Sequence, residues 1–387
     1  MLHPDQAADV QSDVIEWRRH LHRNPELLYD VHQTAGFVAE KLATFGCDLI
    51  ETGIGKTGVV AIIKGSLGEG PVVGLRADLD ALPILENSGK PWTSNFPGKS
   101  HSCGHDGHTA MLLGAARQLA ETRRFRGAVA VIFQPAEEGG AGALAMVEDG
   151  LMEKFKIEQV YGMHNEPKLP IGHFAIRKGG ILASADTFEI LIQGRGSHAG
   201  QPHLSIDPVV AAAHVIVGLQ TVVSRETDPL QAVVITVASI HGGDTHNVIP
   251  NAVRLTGTVR TLRSDLRDFG ERRLKEVAQC IATAHGATAS ITYDRGYPVT
   301  FNHDRETDFA VAAATSIVGP AAVCAGADPR MAAEDFSYML EARPGAFIII
   351  GNGDTAGLHN PAYDFNDEAI PYGISYWVSL TETVLAA

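Results

Sequence analysis

The sequence predicts an α/β protein in which a ferredoxin-like α+β domain is inserted into an α/β catalytic domain. Two observations carry this. Strand patterns alternate with helical ones up to about residue 180 and again after about residue 296, as in a sheet covered by helices on both faces. In between, the order becomes β-α-β-β-α-β, the ferredoxin-like arrangement. The expected divisions are 1–182 and 296–387 for the two parts of the catalytic domain and 183–295 for the insert.

Each element follows from its local pattern. Residues 12–45 have helical periodicity, broken at "RNPEL", where Pro25 starts a new turn. "TGVVAIIKG" (57–65) and "PVVGLRADLD" (71–80) are apolar, β-branched runs and read as strands. "DGHTAMLLGAARQLAE" (106–121) reads as a helix with Asp106 as its cap and Leu112, Ala115, Ala116 and Leu119 at helical spacing. "GAVAVIFQPAEEGG" (127–140) is a strand entering a glycine turn, and "QVYGMHN" (159–165) a short strand. In the insert, "ASADTFEILIQGRG", "QAVVITVASIHGG", "NAVRLTGTVRT" and "ATASITY" read as strands. "SIDPVVAAAHVIVGLQTVV", with Pro208 in its first turn, and "SDLRDFGERRLKEVAQCIATAHG" read as helices. "AFIIIGNG" (346–353) is a very apolar strand, and a last helix covers "YWVSLTETVL".

Composition narrows the function. Of 387 residues, 45% are apolar and 20% charged, which is ordinary for a globular protein. A net charge of −14 argues against a nucleic-acid surface, although a local basic pocket can still take a small anion. Cys47, Cys103, Cys280 and Cys324 form no CxxC pair, so a reducing compartment without a disulfide framework is expected. The first twenty residues lack the apolar stretch of a signal peptide, and no unbroken window of about 18 apolar residues stands out. The expectation is a cytoplasmic protein with neither membrane nor nucleic acid as partner.

The chemistry concentrates in a few short segments. "HSCGHDGHT" (101–109) holds Cys103 and His105 two residues apart, on the same side if the segment is extended. A thiolate and an imidazole suit zinc, manganese, cobalt or nickel. His108 shares a helical face with Leu112 and Leu119 and reads as a packed histidine. "QPAEEGGAGA" places Glu137 and Glu138 after a strand. Neighbouring side chains there cannot both face one point, so one can hold a metal and the other a proton. "YGMHN" contributes His164, "GLHNPAYDFND" His359, and "GLRADLDALP" Asp78 with Arg76 before it. Asp78, Glu137, Glu138 and His164 lie just past predicted strands and His359 in the loop after one, the edge where open α/β sheets bind ligands. Such a set suffices for two ions that share a water and clamp a carbonyl under attack.

Together with "RRHLHRNPEL", "GRGSHAGQPH", "HNVIP", "GTVRT" and "AEDFSYML", these segments resemble the aminoacylase/carboxypeptidase family of di-metal amidohydrolases. The branch is that of hippurate hydrolase, N-acyl-L-amino-acid amidohydrolase and indole-acetyl-amino-acid hydrolase. The resemblance implies a zinc-peptidase-like catalytic domain with a mixed central sheet and an inserted lid that forms a homodimer or a dimer-based tetramer. It implies metal ligands at Cys103, His105, Glu138, His164 and His359, with Cys103 bridging two divalent ions, Mn²⁺ or Zn²⁺, Co²⁺ and Ni²⁺ also being suited. Glu137 is then the general base, His198 the oxyanion donor reaching the site of the partner subunit, and Asn247 and Arg260 the substrate holders. Carboxypeptidase relatives carry His-x-Asp where this chain has Arg76-Ala77-Asp78, and an aspartate where it has Cys103. That departure follows the amidohydrolase branch and puts Asp78 behind a ligand histidine. The expected activity is cleavage of N-acyl-L-amino acids into a carboxylic acid and a free amino acid. The alternatives are a dipeptidase or aminopeptidase of the same fold, and a metal-binding protein without turnover, for which Glu137 would have no use.

Overall fold

The computed structural model describes residues 8–386. The chain forms two compact units. The first runs up to Ile181 and resumes over Phe301–Asp328 and from Asp335 on; the second is Leu182–Thr300 with Pro329–Glu334. The second unit is therefore larger than the expected 183–295. It takes in Pro329–Glu334 because the Ala183 N–H is shared between the carbonyls of Arg330 (3.1 Å) and Ala332 (2.8 Å).

The first unit is built on an eight-stranded mixed sheet. Its strands are β1 (Leu49–Ile54), β2 (Gly58–Lys64), β3 (Val72–Asp78), β4 (Ala128–Gln134), β5 (Ile157–Glu166), β6 (Phe174–Ala175), β7 (Val323–Cys324) and β8 (Gly345–Gly351). Their spatial order is β1-β2-β4-β3-β5-β8-β6-β7. The central strands β4, β3, β5 and β8 are mutually parallel, so their C-terminal ends share one edge. β4 and β8 are buried along their whole length, which is why both read as continuous apolar runs. Helix His105–Thr122 packs on β3 and against helices Ala8–Arg23 and Ile370–Val384, and helix Asp304–Val318 packs on β8.

Helix His105–Thr122 begins differently from expectation. Its cap is Gly104, in the left-handed region at φ 88°, with no capping side chain. Asp106 lies in the first turn and is fully buried, where it accepts from His22 Nδ1 (2.7 Å) with Arg18 Nη1 at 3.6 Å. The local cap signature loses to this ion pair, though the negative charge still suits a helix N-terminus.

The second unit is a four-stranded antiparallel sheet in the order Val233–His241, Ala252–Thr261, Asp186–Gln193, Thr288–Arg295. Helices Pro208–Thr221 and Ser264–Ala284 cover it through Val215, Leu219, Leu274 and Ala278. Asp207 caps the first of these by accepting from Val209 and Val210 N–H, with Pro208 in the first turn. By length and mean hydropathy, helix Pro208–Glu226 could cross a membrane, although its apolar run is not unbroken. Here Ala211, Ala212, Val215 and Leu219 of that helix are buried in the core of the unit.

Arg18 and His22 are one turn apart on helix Ala8–Arg23 and tie it to the first turn of helix His105–Thr122. His22 Nε2 also meets Glu86 Oε1 at 3.1 Å. Burial opposes its charge, but Asp106 and Glu86 outweigh burial and raise its pKa to about 9. The folded-state value lies above the unfolded one. The stabilisation is therefore full below pH 6.5 and lost as pH rises through 9. From pH 6 to pH 10, urea unfolding should lose about 3 kcal/mol more in the wild type than in His22→Gln. Parallel pH dependences in the two proteins would contradict this.

Candidate metal centre

All five predicted ligands and Glu137 meet at the C-terminal edge of the sheet. The ligand atoms of Cys103, His105 and His164 lie within 4.8 Å of one another; so do those of Cys103, Glu138 and His359, and those of His105, Glu137 and Glu138. Cys103 belongs to two of these groups. Its Sγ is 3.4 Å from His164 Nε2, and His359 Nε2 is 3.3 Å from Glu138 Oε1.

Local backbone explains the convergence. Cys103 and His105 do not lie in an extended segment. Gly104 turns the chain between them at φ 88°, where a Cβ would collide with Asn165 and Tyr363. His105 Nδ1 donates to the carbonyl of Asp80 (2.8 Å) and His164 Nδ1 to that of Asn165 (2.7 Å). A carbonyl only accepts, so each ring presents Nε2 to the cluster. His164 lies inside β5, which runs two residues beyond it. His359 is half-exposed and left-handed at φ 59°, and its N–H is held by the Ser102 carbonyl at 2.8 Å. Contrary to the expectation for adjacent side chains, both Glu137 and Glu138 reach His105, because the turn is left-handed at Ala136 (φ 55°) and not extended.

The electrostatics ask for a cation. Burial and the carboxylates of Glu138 and Glu137 push the Cys103 thiol well above its ordinary range. Burial disfavours charge on His105, yet Asp78, Asp80 and Glu138 raise its pKa to about 10. His105 Nε2 is buried without a hydrogen-bond partner. A thiol, imidazoles and carboxylates with inward-facing lone pairs fit divalent ions, which would reverse the penalty on the thiolate.

Asp78 serves a different histidine from the one expected. Its Oδ1 accepts from His108 Nδ1 (2.7 Å) and its Oδ2 from Arg76 Nη1 (2.8 Å), while His105 Nε2 is 3.7 Å away. Of the two nearby carboxyl-bearing residues, Asp80 is the one whose backbone carbonyl faces His105 Nδ1. His108 is packed, as its helical face suggests, and burial lowers its pKa to about 4. Its Nε2 accepts the Asn165 N–H at 3.0 Å.

Sequence reasoning missed Asn165, Tyr363 and Asp80. Asn165 Nδ2 donates to the Cys103 carbonyl (2.7 Å) and its Oδ1 accepts from Tyr363 Oη (2.6 Å). It thereby joins the Cys103, His164 and His359 segments. The only local signals were a polar residue beside a predicted ligand and a second aspartate in "ADLDA".

The second unit brings two of its three predicted residues together. Exposed His198 lies on strand Ser197–His198 opposite Val248, and Asn247 immediately precedes Val248. His198 Nδ1 accepts from Gly200 N–H at 3.0 Å, and the Asn247 carbonyl from Ala199 N–H at 3.0 Å. Arg260 lies on the four-stranded sheet opposite Val234, half-buried, with Nη1 on the Val259 carbonyl (3.2 Å).

Residues 74–383 match the model of peptidase family M20/M25/M40. The chain belongs to that family. This M20 hydrolase is 40% identical over 372 residues to an N-acetyl-L-cysteine deacetylase of Bacillus subtilis, covering 95% of this chain and 87% of the relative. It is 39% identical over 372 residues to a hippurate hydrolase of Campylobacter jejuni, covering 96% of each. A solved structure of the Bacillus subtilis YXEP protein, described as a dinuclear metal binding peptidase from the M20 family, superposes with a TM-score of 0.86. The two are 34% identical, over 97% of this chain and 98% of that one. The M20 fold is thus shared through both units.

Asn165→Ala leaves the Cys103 carbonyl and Tyr363 hydroxyl buried without their partner. The variant should lose about 2–4 kcal/mol in urea unfolding and bind Mn²⁺ roughly 10–100-fold more weakly in equilibrium dialysis. Unchanged Mn²⁺ affinity would show that Asn165 does not organise the cluster.

Proposed function

We propose that this M20 hydrolase cleaves the amide bond of N-acyl-L-amino acids, releasing a carboxylic acid and a free amino acid. The observation that carries the reading is a carboxylate pair at the ligand cluster, both members of which lie beside His105. Glu138 joins Cys103 and His359, while Glu137 stands beside the same cluster at His105. The deacetylase and hippurate hydrolase relatives, both named for acylated amino acids, support that substrate class.

Cys103, His105, Glu138, His164 and His359 would hold two divalent ions, Mn²⁺ or Zn²⁺, with Co²⁺ and Ni²⁺ also suited to these donors. Bound ions of this kind polarise a carbonyl oxygen and lower the pKa of water. Glu137 accepts a proton from the attacking water as its oxygen bonds to the amide carbon. It then returns that proton to the nitrogen, so that the C–N bond breaks with an amine as leaving group. His198 is assigned donation to the oxyanion, and Asn247 and Arg260 the substrate carboxylate, for which the arginine fork is suited. A cytoplasmic homodimer formed through the second unit completes the reading.

The test is a panel of N-acetyl-, N-benzoyl- and indole-acetyl-amino acids beside free dipeptides, assayed after chelation and after reloading with each metal. Chelation should abolish hydrolysis of the acylated substrates and Mn²⁺ should restore it. Glu137→Gln should lower kcat by roughly 10²–10⁴-fold with metal content unchanged, whereas Glu138→Gln should lose metal. Turnover confined to substrates with a free α-amine would move the assignment to an aminopeptidase. Full metal loading without turnover of any substrate would leave a binding protein.

Arg260→Ala should raise KM for free-acid substrates by an amount corresponding to about 2–5 kcal/mol. Matched substrates ending in a primary amide should be much less affected. An equal loss on both would remove Arg260 from carboxylate recognition.

A further inference from the structure

The second unit carries a pair of histidines of its own. Helices Pro208–Thr221 and Ser264–Ala284 pack on each other. Their approach is close at Gly218, where a Cβ would lie 2.3 Å from Ile281 Cδ1. His214 is about one helical turn before Gly218, and His285 about one turn after Ile281. Stepping back along one helix and forward along the other keeps antiparallel neighbours opposite each other. The two imidazoles accordingly meet, with ring centroids 4.7 Å apart and planes at 32°.

The backbone fixes both positions. His214 is exposed on its helix, between the buried Ala211 and Val215. His285 is half-buried and follows the last residue of the other helix. Its N–H meets the Ile281 carbonyl at 3.2 Å. Gly286, left-handed at φ 74°, then ends the helix, and the Ala287 N–H returns to the Ala282 carbonyl at 2.9 Å.

The rings are free to act as ligands. His214 Nδ1 donates to the Val210 carbonyl at 3.0 Å. A carbonyl only accepts, so Nδ1 carries the proton and Nε2 keeps a lone pair. Among the described residues, the His285 ring touches His214 and makes no hydrogen bond, so the ring can turn a nitrogen toward its neighbour. Two imidazoles bound to one ion at about 2.0–2.1 Å, roughly 90–110° apart, have centroids about 4.5–5.2 Å apart. The observed 4.7 Å falls in that range.

We propose that His214 and His285 form a metal site in the second unit, taking a divalent ion that favours imidazole. Zn²⁺, Cu²⁺ and Ni²⁺ suit it, and Mn²⁺ binds such donors least. Water completes the coordination. With two protein ligands the site is weaker than the cluster of the first unit and fills after it. The ion joins the end of one helix to the middle of the other. The inference does not rest on the hydrolase reading, because the five ligands assigned to the cluster all belong to the first unit.

Counting bound zinc tests the proposal. Wild type, His214→Ala and His285→Gln are dialysed against buffered Zn²⁺, and the metal held per chain is measured. The wild type should hold one equivalent more than either variant. Losing a direct ligand weakens binding at least as much as losing a supporting partner. Each variant should therefore bind that last equivalent at least roughly 10–100-fold more weakly. With Mn²⁺ in place of Zn²⁺, the three proteins should not differ. Hydrogen exchange needs no variant to fold. Raising Zn²⁺ through the range in which the last equivalent binds should slow the wild-type amides of residues 281–287 at least about threefold, with strand Val233–His241 unchanged. A wild type that holds no more zinc than the variants would overturn the proposal. So would loss of the equivalent in only one variant, or exchange over 281–287 that zinc leaves unchanged.

Discussion

Two imidazole-to-carbonyl hydrogen bonds organise the site: His105 Nδ1 to Asp80 and His164 Nδ1 to Asn165. Each fixes a tautomer, and each turns an Nε2 lone pair toward Cys103 and the carboxylates. The acceptors are backbone atoms at or beside the C-terminal ends of β3 and β5, so the parallel sheet itself aims the ligands. With those lone pairs turned inward, the cluster holds donor atoms crowded in a buried space. Burial and neighbouring carboxylates disfavour a thiolate at Cys103, and a divalent cation answers both effects at once.

Around the cluster, carboxylates that the fold buries find cationic or N–H partners. Arg76 is fully buried and meets Asp78, Asp335 and the Gln134 side chain. Arg18 meets Asp106, Asp364 and Asp367. Removing one member of such a set leaves an uncompensated charge in the interior, which costs far more than the net contribution of the intact pair. Part of the backbone strain lies in the same region. Ala136 and His359 adopt left-handed φ beside or at predicted functional residues, as expected where surrounding structure imposes geometry on a working site.

Much of this was legible in the sequence, for identifiable reasons. β4 and β8 announce themselves because full burial demands an unbroken apolar run. Glu137 and Glu138 are conspicuous because two charges follow a fully buried strand, and Cys103 and His105 because donor side chains crowd the start of a helix. What stayed hidden depends on partners distant in the chain. Pro329–Glu334 joins the second unit through main-chain bonds to Ala183, a pairing with no local signature. Asp106 has the position of a cap but answers to His22 and Arg18, some eighty residues earlier. Asp78 and Asp80 are two residues apart, and nothing local tells which one serves His105. Asn165 is an unremarkable polar residue until Cys103 and Tyr363 arrive beside it.

Cys103, like His105 and Glu138, falls in two of the three donor groups at the cluster, and we propose it as the ligand common to two ions. Titrating Co²⁺ into the metal-free protein tests it most directly, following bound metal together with thiolate-to-cobalt charge-transfer absorbance. Two equivalents should bind, with absorbance growing across both and lost in Cys103→Ser. Saturation at one equivalent, or an absorbance unchanged in Cys103→Ser, would contradict it.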